Sequence, residues 1–133
     1  MKAPPRRLFV ETYGCQMNKA ESEAIVADLA ADGWALTGEP GAADLVVINT
    51  CSVRETAEER IRGRIGWFRR LKRRRPFTLL LTGCMAERLG RRALEEFPEI
   101  DVLVGTYGRE ELREAVHRAG AGERPFLDGD GAF

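Results

Sequence analysis

The chain has 133 residues, enough for one domain with its own core and too few for two comfortable ones. Its 21 basic and 21 acidic residues cancel, which argues against a general nucleic-acid-binding surface. Hydrophobic residues make up 44% and no apolar run approaches the roughly 20 residues that span a bilayer, so a soluble globular domain is expected, without membrane association. The opening MKAPPRRLFV has too short an apolar stretch for a secretory leader, and the expected location is the cytoplasm.

The elements follow in chain order. Arg6 to Gly14 (RRLFVETYG) reads as a short buried strand ending in a turn. A helix follows, with Ala24, Ile25, Ala27, Leu29 and Ala30 at helical spacing, Asn18 as its N-cap, Glu21 three residues on, and Gly33 as its stop. WALTG is a short strand and EPGAA a loop. Asp44 to Thr50 (DLVVINT) is apolar at consecutive positions, the mark of a central parallel strand buried on both faces. Ser52 and Glu55 then suit a capping box for a long helix that stops before Pro76. FTLLLTG is another buried strand, AERLGRRALEEF a helix ended by Pro98, DVLVG a fourth good strand, and GREELREAVHRAG a last helix. The tail is a short extended piece followed by a linker. Near-strict alternation predicts an α/β fold: a flavodoxin-like, doubly wound, mostly parallel sheet of about five strands, with helices on both faces and strand order 2-1-3-4-5.

The three cysteines of the chain, Cys15, Cys51 and Cys84, each follow a predicted strand. Ligands of doubly wound sheets bind outside the carboxyl ends of the strands. With that order, the three strands are neighbours about 4.8 Å apart, so the thiols can converge although 36 and 33 residues separate them in sequence. Each lies at or near a helix N-terminus, which favours thiolate. Gly14, Thr50 and Gly83, just before them, suit tight turns that leave room for a bulky group.

Several chemistries compete for such thiols. A cysteine phosphatase needs Arg six residues after its cysteine, whereas Glu21, Ala57 and Gly90 stand there. A thioredoxin-like dithiol needs C-x-x-C, which is absent. Structural zinc wants four ligands, and the one histidine, His117, lies in the last helix as a surface residue. An iron–sulfur cluster held by three thiolates, with one iron open to an exogenous ligand, remains. So does a metal-free binding domain in which buried cysteines are core fillers.

ETYGCQMNKAES, VVINTCSVRETAEE and LLLTGCMAE, in this order and at this separation, together resemble the N-terminal domain of the radical-SAM methylthiotransferases, over residues 9–116. GCQMN and NTCSVRE look most like the MiaB-type branch, which acts on tRNA. The resemblance implies a flavodoxin-like domain at residues 1–120, with 121–133 a linker toward an absent radical-SAM domain. It implies that Cys15, Cys51 and Cys84 ligate an auxiliary 4Fe–4S cluster with one open iron. It implies an enzyme, active as the intact protein, that adds a methylthio group to C2 of isopentenyl-modified adenosine beside the tRNA anticodon. Branches acting on threonylcarbamoyladenosine tRNA or on a ribosomal protein are runners-up. S-adenosylmethionine (SAM) and a second 4Fe–4S cluster belong to a C-x-x-x-C-x-x-C motif that this sequence lacks, so the fragment is not expected to act alone. A monomer is expected.

Around the thiols, Gly14, Asn18, Asn49, Thr50 and Gly83 are candidates for the surrounding shell, with Asn18 and Asn49 able to hydrogen-bond cluster sulfurs or to serve as caps and turns. Met17 and Met85 flank the thiols and read as core packing. Arg73, Arg74 and Arg75, ending RRLKRRR, are candidates for tRNA phosphates, weighed against a solvated helix end whose cations complement the dipole.

Overall fold

The computed structural model describes residues 6–14, 16–50, 55–105, 111–120 and 126–127. Its strands are β1 (Arg6–Thr12), β2 (Trp34–Leu36), β3 (Leu45–Thr50), β4 (Thr78–Gly83), β5 (Val102–Val104) and β6 (Phe126–Leu127). Its helices are α1 (Gln16–Ala30), α2 (Glu55–Lys72), α3 (Cys84–Leu89), α4 (Arg92–Glu96) and α5 (Leu112–Gly120), with a 3₁₀ turn at Pro40–Ala42. The strands form one sheet of order β2-β1-β3-β4-β5-β6, and every pairing is parallel. The expected order holds for the first five. The extended piece foreseen in the tail adds a sixth, with Phe126 and Leu127 beside Leu103 and Val104.

Burial explains the two central strands. All six residues of β3 are buried, because both faces of the sheet are covered. Val46 and Ile48 point to one core, with Ile61, Ile65 and Phe68 of α2 and Met85, Ala86 and Leu89 of α3. Leu45 and Val47 point to the other, with Ile25 and Leu29 of α1 and Leu112, Ala115 and Val116 of α5. A strand inside such a sheet has no solvent face, so its apolar residues run consecutively instead of alternating.

Three expectations are corrected. α1 begins at Gln16, so Asn18 lies buried within its first turn and is not its N-cap. The helix expected to run unbroken to Pro98 is two short ones, because Gly90 takes a left-handed φ of 57° and its N–H closes α3 onto Ala86 O. That helix also starts at Cys84 itself. Gly33 does stop the turn after α1, at φ 92°. The expected Ser52 cap lies outside the described residues.

Two glycines face opposite constraints. A Cβ on Gly66 of α2 would meet nothing within 4 Å, so Gly66→Ala gains helix propensity without a clash. A Cβ on Gly83 would stand 2.2 Å from Thr50 O and 2.7 Å from Thr50 N, at a φ of +97°. Gly66→Ala is expected to raise the stability by about 1 kcal/mol in urea unfolding. Gly83→Ala should lower it by about 3 kcal/mol or more. A neutral Gly83→Ala would contradict the close approach of the two strand ends.

Candidate metal centre

The carboxyl ends of β1, β3 and β4 are adjacent and level. Thr12 pairs with Asn49, and Thr50 with Gly83. Past the end of β1, Tyr13 N still donates to Asn49 O at 2.8 Å. Cys84 follows Gly83 directly as the first residue of α3, and it is exposed. Gly14 and Gln16, on either side of Cys15, lie beyond β1 and at the start of α1, and Thr50 ends β3 just before Cys51. Cys15 and Cys51 themselves are outside the described residues, as is the side chain of Met17. The ends of β1, β3 and β4, the strands that precede the three cysteines in sequence, therefore lie side by side on one sheet edge, about 4.8 Å apart.

Beneath this edge runs a buried polar network that the sequence analysis only partly anticipated. Asn49 Nδ2 donates to Asn18 O at 2.9 Å and to Ser22 Oγ at 3.0 Å. Asn18 Nδ2 donates to Asn49 Oδ1 at 3.4 Å and to Thr50 O at 3.3 Å. Ser22 Oγ also meets Thr12 Oγ1 at 2.7 Å. Thr50 Oγ1 donates to Thr82 O at 2.8 Å and accepts from Met85 N at 3.2 Å. Among the described residues no buried side-chain nitrogen or oxygen lacks a partner. The network ties the first turn of α1 to the end of β3, and the end of β3 to the start of α3. Ser22, Thr12 and Thr82 were not singled out from sequence. The signal was there in α1, whose buried line Asn18, Ser22, Ile25, Leu29 has helical spacing but turns polar at one end. Met85 is fully buried in the core, as expected.

On the other face, Glu11 and Tyr13 join α2. Arg64 grips Glu11 with two N–H groups, the Nε contact being 3.0 Å, and its guanidinium lies over Trp67 and Phe68. Tyr13 Oη donates to Glu11 Oε1 at 2.6 Å, and Arg60 sits over the Tyr13 ring. Burial, then the hydrogen bond to Glu11 and its negative charge, push the Tyr13 phenol up to about 12. This clasp fastens the segment just before Cys15 to the helix that follows Cys51.

His117 is exposed in the last turn of α5. It borders a 640 Å³ cavity at the opposite edge, with Arg6 and Trp34, the first residues of β1 and β2. The fold thus separates it from the carboxyl edge, where Cys84 lies. Among the described residues no three His, Cys, Asp or Glu side chains are grouped to hold a metal ion. Arg73 and Arg74 are exposed and Arg75 bonds Asp44 Oδ1 and Gly41 O, each at 2.9 Å. All three follow the far end of α2. At about 1.5 Å per residue, its 18 residues put them about 27 Å from the thiol edge.

Fold and edge together define a parallel α/β domain with Cys84 exposed at the carboxyl ends of its strands. The chain belongs to the uncharacterized protein family UPF0004, which matches residues 7–105. It is 52% identical over 101 residues to the tRNA-2-methylthio-N(6)-dimethylallyladenosine synthase of Treponema denticola, covering 76% of this chain and 22% of that protein. The protein of the same name from Treponema pallidum is 50% identical over 99 residues, covering 74% and 22%. That from Geobacter metallireducens is 42% identical over 127 residues, covering 92% and 29%. The chain spans 22–29% of the length of these relatives. Their names bear out the resemblance to tRNA methylthiotransferases.

The Tyr13 clasp has a measurable consequence. Its phenol ionises near 10.0 in the unfolded chain and about 12 in the folded one. Its share of the stability is therefore whole below pH 10 and is lost as pH rises from 10 to about 12. In a difference ultraviolet titration against Tyr13→Phe, Tyr13 should stay protonated to about pH 12. Glu11→Gln should bring its ionisation to lower pH; an unmoved titration would break the assignment.

Proposed function

We propose that this chain is the cluster-bearing N-terminal part of a tRNA methylthiotransferase that modifies isopentenyl-type adenosine beside the anticodon. Cys15, Cys51 and Cys84 are assigned as the thiolates of an auxiliary 4Fe–4S cluster. The carrying observation is the adjacency of β1, β3 and β4, which brings three cysteine-bearing strand ends to one edge, with Cys84 exposed on it. The donor set fits. Three soft thiolates suit iron and sulfide, and with one ligand too few for closed structural zinc they leave an iron free for an exogenous ligand. When bound, such a cluster supplies sulfur chemistry at that open iron.

The surrounding residues do the holding. Gly83, with no Cβ, lets Cys84 enter beside the end of β3. Thr50 fixes the start of α3 through Met85 N and the end of β4 through Thr82 O. Asn18 and Asn49 lock α1 against β3, and Gly14, at φ 130°, turns the chain into Cys15. The two asparagines act on the thiols by fixing backbone, since Asn49 directs both its amide protons at Asn18 O and Ser22 Oγ.

SAM and the second cluster are assigned to the part of such a protein that the relatives have beyond the matched 22–29% of their length. The RNA is the partner at the thiol edge. No helix among the described residues is long and apolar enough to cross a membrane, and the cytoplasm, where tRNA is, is the proposed location.

Anaerobic reconstitution with iron and sulfide tests the reading. About four irons per chain are expected, with a broad sulfide-to-iron absorption near the visible range, and the loading should fall in Cys15→Ala, Cys51→Ala and Cys84→Ala alike. Loading indifferent to the three substitutions would leave a metal-free binding domain.

A further inference from the structure

The outer face of α2 carries a charge imbalance that the proposed cluster does not use. From Arg60 to Arg75 the sequence has nine basic residues and no acidic one, in a chain whose formal charge is zero. Four of the nine meet carboxylates from other elements: Arg62 with Glu96, Arg64 with Glu11, Lys72 with Asp101 and Arg75 with Asp44. Arg69, Arg70, Arg73 and Arg74 are exposed, and among the described residues none of them is paired with a carboxylate. The run that looks uniform in sequence is thus divided by the fold into matched and unmatched cations.

The unmatched ones are gathered. At 3.6 residues per turn, Arg70 falls in line with Gly63, on the side of α2 away from buried Ile61, Ile65 and Phe68, and Arg73 and Arg74 follow in the turn that closes the helix, where their N–H groups donate to Arg70 O and Leu71 O. A Cβ on Gly63 or Gly66 would meet no atom within 4 Å, so the helix is open on the turns just before these arginines. A guanidinium is a planar fork that matches a phosphate with two parallel N–H bonds. Among the described residues, no large hydrophobic side chain is exposed on this face to suit a lipid or an apolar protein partner; exposed Leu36 is on edge strand β2.

We infer that this face, with Arg69, Arg70, Arg73 and Arg74, binds the phosphate backbone of a base-paired RNA stem. The inference rests on the reading of the chain as part of a tRNA-modifying enzyme. α2 starts near the thiol edge, and at about 1.5 Å per residue it carries this face roughly 21–27 Å away, from Arg69 to the turn after Lys72. An RNA with its nucleoside at the thiols reaches that far with a stiff stem, not with the loop that holds the nucleoside. Arg75 is committed to Asp44 and Gly41, so Arg69 and Arg70 stand in its place beside Arg73 and Arg74 in the inferred face.

The test is fluorescence anisotropy of the 133-residue chain with a labelled tRNA anticodon stem-loop, at salt concentrations from about 50 to 200 mM. Beside it stand R70E/R74E, the charge-neutral R70Q/R74Q and the conservative R70K/R74K, each checked for folding by circular dichroism. Charge reversal should weaken binding at least tenfold at the lowest salt. It should also make the slope of log K against log salt shallower by about 2, at roughly 0.9 per lost phosphate contact. The glutamine pair should move the same way by less, and the lysine pair should retain binding. Unchanged affinity and slope in R70E/R74E would overturn the proposal. So would a wild-type chain that binds no RNA, or one that binds phosphatidylglycerol vesicles in its place. Iron loading of the same samples separates the two readings. Normal loading with an indifferent R70E/R74E removes the RNA face alone. RNA binding lost on charge reversal, in a chain that never loads iron, keeps the face and removes the cluster.

Discussion

A methyl group placed on Gly83 would overlap the backbone of Thr50, with its carbon 2.2 Å from the carbonyl oxygen. Two parallel strands, β3 and β4, run side by side to their last residues, and at the carboxyl edge they close on one another until the next side chain has no space at all. That contact sets the geometry of the thiol edge. The chain leaves β4 at Gly83, whose φ of +97° is open to glycine and closed to bulkier residues, and Cys84 turns at once into α3. With any other residue at position 83 the strand ends would have to part, and Cys84 would move away from the end of β3 at Thr50.

The polar residues around that contact give it a fixed shape. Apolar packing alone is non-directional and would tolerate small slides of one strand end past its neighbour. Thr50, Asn49, Asn18 and Ser22 replace it at the edge with directional bonds, each polar atom finding a partner inside the protein. Opening any of these would leave a buried donor or acceptor unmet, at a cost of about 1–3 kcal/mol. On the far face, Glu11, Tyr13 and Arg64 perform the same service between the end of β1 and α2. Cores built from Ile, Leu, Val and Phe therefore hold the sheet, and side-chain hydrogen bonds hold the edge.

What could be read from sequence follows from the range over which each force acts. The consecutive apolar residues of DLVVINT and TLLLTG report two covered sheet faces, and alternation with helices then leaves few strand orders, so the adjacency of β1, β3 and β4 is legible in the sequence. Local rules failed where one residue type serves two needs. Asn18 looks like an N-cap because it is polar and precedes an apolar run, yet it answers to Asn49, 31 positions later. Ala86, Leu89, Ala93 and Phe97 keep helical spacing through Gly90, so the break between α3 and α4 is written in one backbone angle and not in the apolar pattern. Charge was the least legible. The arginines after Trp67 are alike in sequence, and the fold alone decides that Arg75 meets Asp44 while Arg73 and Arg74 face solvent.

Whether three thiols share one small space can be measured without iron. Trivalent arsenic binds thiolates and takes three when three converge. Under reducing, anaerobic conditions the chain should bind one arsenite, and arsenic X-ray absorption should show three sulfur neighbours. Two should remain after Cys→Ala at any one of Cys15, Cys51 or Cys84. Arsenic held by two sulfurs in the unaltered chain, or no binding, would contradict the convergence of the three strand ends on a single site.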